Sequence, residues 1–253
     1  MTAVLELHEI GKRFGGLEAV ADLSLTLSEG EILGLIGPNG AGKSTAFNLI
    51  NGVFRPDQGR VVFRGEDITG LAPNHVVRRG LARTHQIVQP LATVSVLENC
   101  IVGACFGRDN LPLRAAEAVA REIADFVGLT ARLDEPAGQL TIAGKKRLEL
   151  ARALCARPVL LLLDEVLAGL NPAEVERMIG VIRKIRESGV SILIIEHLMQ
   201  AIMGLSDRIV VLSSGRKLAE GRPVEVAANP AVIEAYLGDA SLAEKLHRKS
   251  RDG

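Results

Sequence analysis

Short apolar and alternating runs, separated by glycine-bearing turns, fill the first part of the chain, and 4–8, 19–27, 31–36 and 60–64 read as strands. Residues 43–53 read as a helix, because they follow a glycine-rich turn directly after an apolar strand. From about 88 to 157 the character changes. LRAAEAVAREIADFVG over 113–128 puts Val119, Ile123, Phe126 and Val127 on one helical stripe with charges elsewhere, and 148–156 is a second helix rich in Leu, Ala and Arg. Strands and helices then alternate again. The fully apolar run 159–163 suits a buried parallel sheet. Asn171, Pro172 and Glu174 supply an N-cap, an N1 proline and an acidic N3 residue. The helix they open buries Val175, Met178, Ile179, Ile182 and Ile185 and ends at Gly189. Strands at 190–195 and 208–212 follow, the second ending in a Ser214-Gly215 turn. Parallel strands need crossover helices, so the expected fold is α/β: a mainly parallel sheet, an N-terminal antiparallel β subdomain and an inserted helical lobe at about 88–157.

Composition narrows the function classes. With 253 residues and 47% apolar content the chain can bury a core, and one domain over 1–240 with a polar tail at 241–253 is expected. Thirty basic and thirty acidic residues cancel, which gives no electrostatic reason to expect nucleic acid or an anionic membrane surface as partner. The longest purely apolar run is 159–163, far short of the ~20 residues that span a bilayer. The start, MTAVLELHEI, lacks the basic-then-apolar pattern of a secretion signal. Cys100, Cys105 and Cys155 have no CxxC spacing and read as reduced, mostly buried thiols.

The chemistry is concentrated in a few places. Gly37-Pro38-Asn39-Gly40-Ala41-Gly42-Lys43-Ser44-Thr45 matches G-x4-G-K-[ST], a loop whose amides turn inward as an anion nest at a helix N-terminus. Lys43 would reach the β- and γ-phosphates of a nucleotide, and the Ser44 hydroxyl would ligate Mg²⁺. Asp164 and Glu165 end an apolar strand, where ligands gather in open α/β sheets. Asp164 would hold Mg²⁺ through water, and Glu165 would orient or deprotonate the attacking water. His197 also follows a strand, placed to bond a γ-phosphate. Gln86, just before the helical lobe, would touch Mg²⁺ or the attacking water.

The order phosphate loop, Gln86, Leu140-Thr141-Ile142-Ala143-Gly144, Asp164-Glu165, Ala168-Gly169-Leu170-Asn171, His197 resembles the nucleotide-binding domain of ABC transporters. That resemblance implies a P-loop NTPase of ABC type, an Mg²⁺-dependent ATPase peripheral to the cytoplasmic face of the plasma (inner) membrane. Its partners would be membrane permease subunits, a second ATP-binding subunit in a homo- or heterodimer and, indirectly, a periplasmic or extracellular solute-binding protein, with no nucleic acid. By the same resemblance, residues 140–144 form a signature loop that completes the opposite subunit's site, and Phe14 stacks on adenine. GLARTHQ, SVLENCIVGA, GLNPAE, IEHLM and ANPAVIEAYLG look like the first ATPase subunit of branched-chain amino acid importers. A lipopolysaccharide-export-type ATPase, or an ATP-gated dimer clamp with little turnover, are the alternatives. Departures from the family pattern are Ile142-Ala143-Gly144 for Gly-Gly-Gln, Val166 for Pro, Asn171 for Asp and His85 for Phe.

Overall fold

The computed structural model describes residues 2–86 and 88–237, so the tail expected over 241–253 lies outside the described residues. The strands are β1 (Ala3–Phe14), β2 (Leu17–Ser28), β3 (Ile32–Ile36), β4 (Gln58–Phe63), β5 (Glu66–Asp67), β6 (Leu81–Arg83), β7 (Leu160–Asp164), β8 (Ser191–Ile195), β9 (Arg208–Ser213) and β10 (Arg216–Gly221). The helices are α1 (Lys43–Ile50), α2 (Pro73–Arg78), α3 (Val96–Phe106), α4 (Leu113–Phe126), α5 (Ile142–Cys155), α6 (Pro172–Glu187), α7 (Met199–Leu205), α8 (Pro223–Ala227) and α9 (Pro230–Leu237). Among the described residues they form two compact units, one drawn from 2–71 and 191–237, the other from 72–86 and 88–190.

In the first unit an antiparallel sheet runs in the order β2-β1-β4-β5. A second set of strands runs β10-β9-β3-β8, with β3 parallel to both β8 and β9 and only β10 antiparallel. Every residue of β3 (ILGLI) and β8 (SILII) is buried, as continuous apolar strands of a parallel sheet must be. Helix α1 stops at Ile50, three residues before the expected end, where Asn51 and a left-handed Gly52 close it.

The second unit holds the parallel pair β6 and β7, in register Leu81↔Leu160 to Arg83↔Leu162. Around 88–157 stand α3, α4 and α5. Ser95 and Glu98 close a capping box at the start of α3. On α4 the buried face is Ala116, Val119, Ala120 and Ala124, while Phe126 is exposed. Of the expected stripe, Val119 and Val127 are buried and Ile123 half-buried, so the correction falls on Phe126; alanines fill the rest of the inward face. The backbones of α3 and α5 come close, and a Cβ on Gly103 would lie 2.3 Å from the Arg152 carbonyl oxygen. Cys100 and Cys155 are free, buried thiols there, and Cys105 is half-buried. Helix α6 has the expected capping box of Asn171 and Glu174 and buries Met178, Ile179, Ile182 and Ile185, with Val175 only half-buried.

Helix α5 begins at Ile142, not near 148. Thr141 is its N-cap, with Oγ1 accepting from the Gly144 amide at 3.2 Å, so Ile142, Ala143 and Gly144 form a first helical turn rather than a loop. Among the described residues no helix is long and apolar enough to cross a membrane.

Candidate active site

In the first unit, β3 delivers the chain into the glycine-rich loop. Gly37 has φ 154, and a Cβ there would lie 2.2 Å from the Leu212 carbonyl oxygen of β9. Gly42 has φ 98, and its Cβ would meet the Ala19 carbonyl oxygen at 2.4 Å. Both positions demand glycine, since backbone crowds the space a side chain would fill. The loop is tied down by the Gly215 amide, which donates to the Ala41 carbonyl at 3.1 Å, and Gly215 in turn accepts from the Ala21 amide at 2.8 Å. Lys43 is 7% exposed and donates to the carbonyls of Gly37 (2.7 Å) and Pro38 (3.0 Å). Its ammonium is thus held over the loop. The amide of Ala46 bonds the Gly42 carbonyl at 2.9 Å, so the amides ahead of it lie in the helix's first turn, where the macrodipole favours an anion. Asn39, Gly40 and Ser44 are exposed at the loop's surface, and Thr45 is half-buried. Beneath the loop, Tyr236 of α9 is buried; burial pushes its phenol pKa up, against the opposing pull of the Gly37 amide.

His197 and Phe14 lie in the same unit. Gly34 pairs with Ile194 in register, so His197, three residues past Ile194, comes out at the same strand edge as Gly37. Phe14 is 42% exposed, with its ring edge-on to Phe54 at 5.2 Å. Val20, the register partner of Lys12, borders Gly42, which puts Phe14 two residues further along β1 from the loop's neighbour. Lys12 Nζ lies over the ring, 5.8 Å from its centroid, so the exposed aromatic carries a cation beside it.

In the second unit, Asp164 ends β7 and is 2% exposed. Its Oδ2 takes a 2.7 Å ion pair from Arg83, and its amide donates to Thr84 Oγ1 at 3.1 Å. Its Oδ1 is buried with no hydrogen-bond partner. A buried carboxylate oxygen left so is costly in the protein alone and fits a hydrated Mg²⁺, whose shell prefers carboxylate and phosphate oxygens. Glu165 follows in a left-handed conformation, φ 50. Gln86 Nε2 donates to Glu165 Oε2 at 2.7 Å, so two of the expected residues touch one another. Lys146, buried on α5, donates to the Glu165 carbonyl at 2.7 Å and to the Gln86 carbonyl at 3.4 Å. The carboxylate of Glu149 accepts from the His85 amide. Burial pushes the Glu149 pKa up and the His85 pKa down. Arg83, Lys146 and Glu149 escape the sequence reading entirely. At the start of α5, Ile142 is 63% exposed.

Comparison with known proteins gives the family. Residues 20–168 match the model described as ABC transporter, and 216–241 match one described as branched-chain amino acid ATP-binding cassette transporter. The high-affinity branched-chain amino acid transport ATP-binding protein BraF of Pseudomonas aeruginosa is 39% identical over 94% of this chain and 98% of its own. LivG of Escherichia coli, of the same description, is 38% identical over the same shares. Among solved structures, the ADP conformation of an ATP-binding cassette of an ABC transporter aligns with a TM-score of 0.85 and 32% identity, over 94% of this chain and all of that one. The chain belongs to the ABC transporter family, as one of its ATP-binding and ATP-hydrolysing subunits.

Proposed function

We propose that this subunit powers the import of branched-chain amino acids or related solutes through a partner membrane permease. The observation that carries the reading is likeness along 94% of the chain to branched-chain amino acid transport ATP-binding proteins. The match over 216–241 supports it, and favours it over lipopolysaccharide export. The chain works at the cytoplasmic membrane face, head-to-tail with a second ATP-binding subunit, while a solute-binding protein feeds the permease from outside.

ATP is the substrate. The amides of Gly40, Ala41 and Gly42 cradle its phosphates, Asn39 and Thr45 border them, and Lys43 sets its charge against the β- and γ-oxygens. His197 bonds the γ-phosphate. Mg²⁺, held by Ser44, Gln86 and Asp164, would supply charge neutralisation for the phosphates. Glu165 orients a water and accepts its proton as the water oxygen bonds to the γ-phosphorus; the bond to the β,γ-bridging oxygen breaks, and ADP leaves with that electron pair. Gln86 holds one Glu165 carboxylate oxygen in place. That directed carboxylate favours turnover over a clamp that merely binds. Thr141 to Gly144, with Leu140 behind them, serve the opposite subunit's nucleotide. Ile142 brings a β-branched side chain where glycine would allow a backbone close to phosphate.

Proteoliposomes holding the assembled transporter, with ATP inside and labelled leucine plus binding protein outside, test the assignment. ATP-dependent leucine uptake is the expected result. Uptake of another solute class, with none of leucine, isoleucine or valine, would exclude amino-acid import.

Phe14→Ala is expected to weaken ATP binding by ~5- to 150-fold, the span of a base-on-aromatic contact of ~1–3 kcal/mol. Phe14→Tyr should be nearly silent. Titration with a fluorescent ATP analogue decides, and parental affinity in the Ala variant would end the stacking role.

A further inference from the structure

Helix α5 carries the Thr141–Gly144 segment at its N-terminus, and within its second turn it reaches into its own unit's hydrolytic residues. Lys146 is 7% exposed, and the partners of its ammonium are two backbone carbonyls, Glu165 at 2.7 Å and Gln86 at 3.4 Å. Three residues on, and so on the same helical face, Glu149 accepts from the amide of His85, the residue before Gln86. Gln86 closes the circuit by donating its side-chain amide to Glu165 Oε2 at 2.7 Å. One helix therefore grips both the catalytic carboxylate's backbone and the loop that orients the carboxylate.

Burying an ammonium whose hydrogen bonds go to neutral carbonyls is expensive even with the Glu149 carboxylate close enough to act on it, and an apolar side chain would fill the space at lower cost. What the ammonium supplies is direction. Glu165 is one of several non-glycine residues at positive φ (50), a left-handed conformation that is sterically costly and so gains from a bond that holds it. A charge-assisted bond to its carbonyl fixes that peptide plane.

We propose that Lys146 is the positioning residue for Glu165, and that it links the Thr141–Gly144 end of α5 to hydrolysis in its own chain. The proposal rests on Glu165 being the hydrolytic base. A shift of α5 when Thr141–Gly144 meets its partner nucleotide is transmitted through Lys146 to Glu165 and Gln86, so each subunit's base is set by the state of the opposite site.

The test uses the full chain in its assembled transporter. Lys146→Met is expected to lower kcat by ~10- to 100-fold, since small misplacements of catalytic groups cost up to ~10²-fold, while KM for ATP stays within ~2-fold. Lys146→Arg, which keeps charge and donors, should recover most of kcat. In a Glu165→Gln background, Lys146→Met should add little further loss, because residues acting as a unit are not additive. Parental kcat in Lys146→Met, a loss carried in KM, or a fully multiplicative loss in the double variant would each overturn the proposal. Should the Met variant not fold, Lys146→Gln carries the same test: it keeps one short neutral donor, so reduced kcat at unchanged KM is expected and parental kcat overturns it. Parental turnover in Glu165→Gln alone removes the base assignment and the proposal with it. A slow Glu165→Gln beside a fast Lys146→Met removes the proposal only.

Discussion

Glu165→Gln should leave ATP bound and cut turnover by at least ~10²-fold, within the usual span for removing a general base. The structure makes this substitution unusually clean. Gln86 donates to one carboxylate oxygen of Glu165, and Lys146 bonds its backbone carbonyl. A glutamine side chain can offer its own oxygen to the Gln86 amide, and the backbone bond does not involve the side chain. Shape, charge-assisted backbone anchoring and the orienting bond are retained, and the basicity is what goes. Phosphate release and retained nucleotide, measured together on the purified variant in its complex, check the point. Hydrolysis at the parental rate would take Glu165 out of the mechanism.

Lys43→Met should lower ATP affinity by ~10- to 150-fold, the range expected when a charge-assisted bond of ~1.5–3 kcal/mol is lost. Two effects add here. The ammonium no longer meets the phosphates, and the carbonyls of Gly37 and Pro38 lose the donor that shapes the loop around it. Methionine fills nearly the same volume, so the fold should survive, and thermal unfolding of the nucleotide-free protein should move much less than the ATP-induced shift does. A Kd equal to the parental value, by fluorescent-nucleotide titration, would deny Lys43 its role.

The strands that bury both faces were easiest to read, because ILGLI and LLLLD admit no alternation and need a parallel sheet to cover them. The cap at Asn171 and the glycines at 37 and 42 were equally legible, since each has a local cause. Helix α4 was legible in part: Val119 and Val127 of the expected stripe are buried, but Ala116, Ala120 and Ala124, too small to stand out in an apolar pattern, complete the inward face and Phe126 stays exposed. The start of α5 was hidden by Ile142 and Gly144, poor helix formers that a threonine cap overrides. Lys146 stands in a Lys-Lys-Arg run that reads as a solvated basic stretch, and Arg83 in a strand too short to show its face. Their partners are carbonyls and a carboxylate far along the chain, and no local pattern encodes a contact across 19 or 81 residues.

The bond from the Gly144 amide to Thr141 Oγ1 bears on the role proposed for the start of α5 at the opposite subunit's phosphate. A hydroxyl has one proton and two lone pairs, and a lone pair here is committed to the helix's own first turn. Accepting that bond polarises the O–H and restricts where its proton can turn, which strengthens it as a donor toward an anion. Thr141 therefore stabilises α5 and, in the role proposed for residues 140–144, would meet an incoming phosphate through the same oxygen atom. A side chain that cannot accept at this position would lose a cap worth ~1 kcal/mol and, in the proposed role, the phosphate donor with it, so helix stability and phosphate capture at residue 141 would be inherited, or lost, as a single trait.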